Sequence, residues 1–116
     1  MRRFSYAAHI PCHCRKSIED FHTVHLNPSH EFYGIFDGHL GNLASKYASS
    51  SFHHKIELCL SDLDTQIRDQ TSRSSWRDEI STKITQSFED LHHGIIQAVT
   101  SSPGGIMDES GTTATI

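Results

Sequence analysis

The sequence is poor in the material of a large core. Of its 116 residues, 35% are hydrophobic, and the mean hydropathy is -0.45. Both values are low for a self-sufficient globular domain. No run approaches the roughly 20 apolar residues that a membrane-spanning helix needs. Basic residues are also scarce, with 10 Lys and Arg against 14 Asp and Glu, for a formal charge of -4. That balance excludes a general nucleic-acid binder, which needs a basic footprint. Cysteine is limited to Cys12, Cys14 and Cys59. An odd number, with two of them only two positions apart, excludes a disulfide framework and favours a reducing compartment. Met1-Arg2-Arg3 is basic, but no apolar segment follows, so no secretory signal is expected. A cytoplasmic or nuclear location is the expectation.

What is abundant is histidine, 10 in all. Free imidazole titrates near pH ~6.5, so mild acid brings the net charge toward zero. His9, Cys12, His13 and Cys14 lie close together, but Cys-x-Cys is too tight for ordinary zinc spacing. The pairs His53-His54 and His92-His93 fall within helical pattern and are expected to face solvent. Trp76 and Phe88 share an apolar stripe and are expected to anchor a core.

Periodicity divides the chain. Phe4–Ile10 alternates as a short strand, with Phe4, Tyr6 and Ala8 on one face. Phe21–Leu26 predicts a second strand and Glu31–Phe36 a third, well-buried one, separated by the turn residues Asn27-Pro28-Ser29. From Asn42 to Leu60 the period becomes helical, through Ala44, Tyr47, Ala48, Phe52, Ile56, Cys59 and Leu60. Residues 61–75 read as a polar connection, helical in part. Trp76, Ile80, Ile84, Phe88, Leu91, Ile95 and Val99 then form a second helical stripe, with Ser75 as its expected cap and Asp78 and Glu79 near its positive end. Ser110–Ile116 begins another strand.

The residues with chemistry sit where strands end. Glu19-Asp20 precedes one strand and Asp37-Gly38-His39 follows the next. Carboxylates and carbonyls suit hard cations such as Mg²⁺ or Mn²⁺. A nearby histidine can protonate a leaving group, and the planar fork of Arg15 can grip a phosphate. Spacing alone leaves other readings open: a surface turn at Asp37-Gly38, a solvated acidic pair at Glu19-Asp20, an exposed cation at Arg15.

Three segments together narrow the choice. Arg15-Lys16-Ser17-Ile18-Glu19-Asp20 resembles the Arg-x-x-x-Glu-Asp element of the PP2C (PPM-type) metal-dependent protein serine/threonine phosphatases. Phe32-Tyr33-Gly34-Ile35-Phe36-Asp37-Gly38-His39-Leu40-Gly41 resembles that family's Phe-x-x-Val-Phe-Asp-Gly-His-x-Gly element, and Ser110-Gly111-Thr112-Thr113-Ala114 its Ser-Gly-Thr-Thr-Ala strand. All three occur in the family's order.

The resemblance implies hydrolysis of phosphoserine and phosphothreonine in proteins by a water that two Mg²⁺ or Mn²⁺ ions activate. Asp37 would bridge the ions, Gly38 would offer its carbonyl, and Glu19 and Asp20 would bind metal directly or through water. Arg15 would hold the substrate phosphate and His39 would be the general acid. The partner implied is a phosphoprotein, with neither nucleic acid nor membrane, acted on by a monomer at full length. Leu40 departs from the glycine found in many members. The family's later Asp-Gly and Asp-Asn elements have no counterpart. Residues 1–116 are therefore expected to be the N-terminal portion of such a domain, inactive alone. The alternative is a truncated pseudo-phosphatase that binds partners without catalysis. The expected fold is α+β: about four strands of a partial β-sandwich, with two long antiparallel helices packed on one sheet.

Overall fold

The computed structural model describes residues 18–67, 73–101 and 107–116. The expected strand at Phe4–Ile10 and the residues His9, Cys12, His13, Cys14 and Arg15 lie outside the described residues. The element order is β1 (Phe21–Leu26), β2 (Glu31–Phe36), β3 (Gly38–His39), α1 (Leu43–Ile67), α2 (Arg73–Thr100) and β4 (Gly111–Thr112).

β1 and β2 pair antiparallel, from Phe21 opposite Phe36 to Leu26 opposite Glu31. Their turn is closed by the Asn27 N–H on the His30 carbonyl at 2.9 Å and by the Asn27 side chain, which accepts from the Ser29 N–H at 3.1 Å. An Asn that bonds the backbone two residues on is a local device for such reversals. On the other edge, β4 pairs antiparallel with β3, and Thr115 bridges Ile35. The Thr113 N–H bonds the Asp37 carbonyl at 2.9 Å, so one ladder runs unbroken from Ile35 to His39. β2 thus lies between β1 and the C-terminal strand.

β2 alternates strictly: Phe32, Gly34 and Phe36 are buried, while Glu31, Tyr33 and Ile35 are exposed. Only one face of this strand is covered, which corrects the expectation of a strand buried throughout. The covered face lies on α1. Phe32, Phe36, Ala48, Phe52, Ile56 and Leu91 form the core, with Tyr47, Leu60, Ile84, Phe88 and Ile95 packed around it. Phe52 is fully buried at its centre. It meets Phe36, Phe32 and Phe88 edge-on, at centroid distances of 6.4, 6.2 and 4.7 Å. That geometry suits the ring quadrupoles.

α1 and α2 form an antiparallel hairpin. Lys83 lies 3.9 Å from Asp62, Phe88 packs on Phe52, and Gly94 sits against the Tyr47 ring. A side chain at position 94 would collide with that ring, so Gly94 permits the close approach. Both helices run longer than the periodicity suggests. α1 continues to Ile67 because its polar tail holds neither Gly nor Pro, the residues that break helices. α2 begins at Arg73, which places Ser75 inside the helix rather than at its cap and leaves the first turn without acidic residues. Trp76 is half-buried, outside the core cluster, with Arg77 over its ring at 5.6 Å.

The contact between β1 and α1 is polar. Ser45 Oγ donates to the Glu19 carbonyl at 2.5 Å, and Thr23 Oγ1 donates to the Ser49 carbonyl. His25 lies on His53 at 4.9 Å, and Asn27 Nδ2 donates to Glu57 Oε1 at 2.7 Å. The α1 positions are four apart, one turn each, so they form a single stripe along the helix. Val24 and the exposed Leu26 take the alternate positions of β1, on the face shared with Tyr33 and Ile35. The architecture is α+β, with the helices on one face of the small sheet. A second sheet facing the first is not present among the described residues, so the expected sandwich is not seen.

Candidate metal centre

The β1–β2 ladder ends with Phe21 opposite Phe36, and the residues next to this last pair are Asp20 and Asp37. Both residues are exposed. The Asp37 carbonyl is tied down by the Thr113 N–H at 2.9 Å and by Thr112 Oγ1 at 3.2 Å. Its backbone is therefore fixed while its carboxylate stays in water.

Gly38 is buried against the Glu19 carbonyl and Ser45 Oγ. A Cβ there would overlap both atoms, so the two acidic segments approach this closely only because residue 38 has no side chain. Glu19 is held twice. Its carbonyl accepts from Ser45, and its Oε1 accepts from the Gly41 N–H at 3.1 Å. Between Gly38 and α1 the chain turns sharply, with Leu40 at φ 57° and Gly41 at φ 124°. Both are left-handed values, so Leu40 occupies a conformation that favours glycine.

His39 is exposed, and its imidazole lies over Gly111. Ser110 caps α1 from far along the chain: its Oγ accepts from the Ala44 N–H at 3.1 Å, while its own N–H donates to Asp108 Oδ1 at 2.8 Å. Hydrogen bonds from Ser110 hold the Asp108 carboxyl below its usual range. The segment from Ser110 to Thr113 thus fastens the Asp37 loop, the His39 ring and the helix start together. The sequence marks this segment only as a strand, and nothing in it signals Gly111 as the seat of His39. The small, β-branched composition of the segment is what marks the strand.

The structure gathers Glu19, Asp20, Asp37, Gly38 and His39 around one end of the sheet. It does not gather them into a closed cage: among the described residues no three His, Cys, Asp or Glu side chains converge on a point that could hold an ion. One reason is that a Glu19 oxygen is turned to Gly41, and another is that Gly38 can offer only its carbonyl. Two exposed carboxylates and a carbonyl fit a hydrated Mg²⁺ or Mn²⁺, which keeps several waters, better than they fit a fully protein-ligated metal. The predicted roles of His53 and Trp76 need revision. His54, His92 and His93 are exposed as expected, but His53 is half-buried with its Nδ1 sealed off, because its place on α1 faces β1.

No curated protein matches the chain. The family model for Protein phosphatase 2C matches residues 4–103, a span that includes Arg15, the Glu19-Asp20 pair and the Asp37-Gly38-His39 loop. The chain belongs to the protein phosphatase 2C family.

Proposed function

We propose that Glu19, Asp20, Asp37 and Gly38 supply the N-terminal share of a two-metal centre that hydrolyses phosphoserine and phosphothreonine in proteins. The observation that carries this reading is the register: Asp20 and Asp37, both exposed, flank the last paired residues Phe21 and Phe36, with Gly38 packed on the Glu19 backbone beside them. Bound Mg²⁺ or Mn²⁺ supplies Lewis acidity toward the phosphoryl group and acidifies the attacking water.

The chain's own residues do the rest. Asp37 and Asp20 hold the charge of the ions, and Glu19 keeps the Gly41 turn in place. His39 delivers a proton from its ring to the departing serine or threonine oxygen. Arg15 binds the substrate phosphate with its guanidinium fork. The apolar outer face of Val24, Leu26, Tyr33 and Ile35 supports the further reading that this sheet is one layer of a β-sandwich.

Mn²⁺ titrated into the isotope-labelled chain is expected to broaden the amide signals of Asp20, Asp37 and Gly38 before any others. Asp37→Asn is expected to lose that effect and, in a chain that carries the complete catalytic domain, Mn²⁺-dependent phosphate release from a phosphoserine peptide. Unchanged broadening and turnover in the variant would refute the role of Asp37.

A further inference from the structure

Four imidazole and carboxylate groups meet in the middle of the polar contact between β1 and α1. His25 comes from β1; His53, His54 and Glu57 come from α1. The His25 and His53 rings are 4.9 Å apart, and the His53 and His54 rings 3.9 Å apart. His25 Nε2 is 3.8 Å from Glu57 Oε2, beyond hydrogen-bond reach. Glu57 spends its other oxygen on Asn27. His25 Nε2 and His53 Nδ1 are both buried and both lack a hydrogen-bond partner.

A neutral imidazole needs only one of its nitrogens to carry hydrogen. The bare nitrogen of such a ring, buried as a lone pair, costs less than a buried, unpartnered, charged donor. A second proton changes this, because it places an unpartnered donor and a full charge in the same buried position.

We propose that His53 and His25 form an acid-sensitive clasp between α1 and β1, closed while both rings are neutral and weakened when His53 takes a proton. Most of the influences on His53 fit this. Phe32 of β2 faces it at 6.2 Å and carries no charge. Among the described residues, His25 from β1 and His54 from α1 repel a proton there, Glu57 attracts one, and none of the charges that act on the ring comes from α2. Burial is the largest influence, and the net effect holds the His53 titration below its ordinary 6.5.

The direction of the pH effect follows. The unfolded chain takes up this proton more readily than the folded one. The contribution of His53 is intact above about pH 6.5 and is lost as the pH falls toward the lower folded value. Because Ser45 and Glu19 lie on the same line of contacts as His53 and His25, loosening the clasp also loosens the support of the candidate metal residues.

The test uses the full 116-residue chain and needs no enzymatic activity. Ring signals of the histidines are followed by NMR from about pH 8 to about pH 5. The His53 midpoint is expected below 6.5, with the backbone amides of Thr23 and His25 shifting at the same midpoint. Urea unfolding at both ends of that range is expected to show a folding constant that falls by up to about tenfold per pH unit through this ring. His53→Leu is expected to lose less stability in acid than the parent, and His92→Leu, at an exposed ring on α2, as much as the parent. A His53 midpoint at or above the ordinary value would overturn the proposal. So would an equal acid loss in His53→Leu and the parent. The NMR result decides the matter should His53→Leu fail to fold.

Discussion

His39 and Gly111 face each other across the β3–β4 pair, and the imidazole fills the space that a methyl group at residue 111 would need. The ring proposed to protonate the leaving group is therefore positioned by a glycine on a distant strand. Gly111→Ala is expected to displace that ring while leaving the core intact. NMR should show a shifted His39 ring in a chain whose Phe52 and Leu91 signals are unchanged. In a chain that carries the complete catalytic domain, phosphate release should fall by about tenfold or more, within the contribution typical of a general acid. An unmoved His39 signal would show that the ring does not depend on Gly111.

Leu40 holds a left-handed backbone with its side chain 73% exposed. It carries the strain of that conformation and gains little burial in return. Leu40→Gly is expected to stabilise the chain by about 0.5–1 kcal/mol, the balance of relieved strain and added unfolded-state freedom. The check is a higher urea midpoint with an unchanged m-value. A lower midpoint would mean that the leucine side chain holds the loop in place.

Phe52 joins both helices to the sheet through Phe32, Phe36 and Phe88. Phe52→Ala is expected to cost about 3–5 kcal/mol, the range for an aromatic ring removed from a packed core. Leu58→Ala, on the same helix but 69% exposed, is expected to stay within about 0.5 kcal/mol of the parent. Denaturant unfolding of the two variants side by side checks both values. Equal losses would contradict the placement of the core.

Much of this was legible in the sequence. β1 and β2 coincide residue for residue with the expected strands, because hydrophobic residues alternate on either side of a recognisable Asn-Pro-Ser turn. The start of α1 and the pairing of its stripe with that of α2 followed from the helical period, as did Phe88 in the core surround. The acidic residues at the strand ends were visible for the same reason, since strand boundaries place them.

What was not legible depended on contacts between distant segments. The polar tail of α1 has only Leu63 and Ile67 at helical spacing, so past Leu60 the sequence signalled a segment helical in part rather than one continuous helix. Beyond Phe21, the inward face of β1 and its turn consists of Thr23, His25 and Asn27, which periodicity alone reads as the solvent side. Only the presence of Ser49, His53 and Glu57 opposite them makes that face a buried one. His53 was misplaced for that reason. Gly111 was undervalued because nothing near it in the chain announces His39.

The four-residue spacing of Ser45, Ser49, His53 and Glu57 makes α1 act as a ruler for the strand beside it. Greasy surfaces can slide over one another by a residue and lose little, whereas three directional bonds and a ring contact at four fixed marks cannot. One residue inserted between Ser45 and Glu57 would swing the marks beyond it about 100° around the helix, since each turn takes ~3.6 residues. The length of this stretch of helix, and not only its composition, is thereby held fixed by the strand it measures.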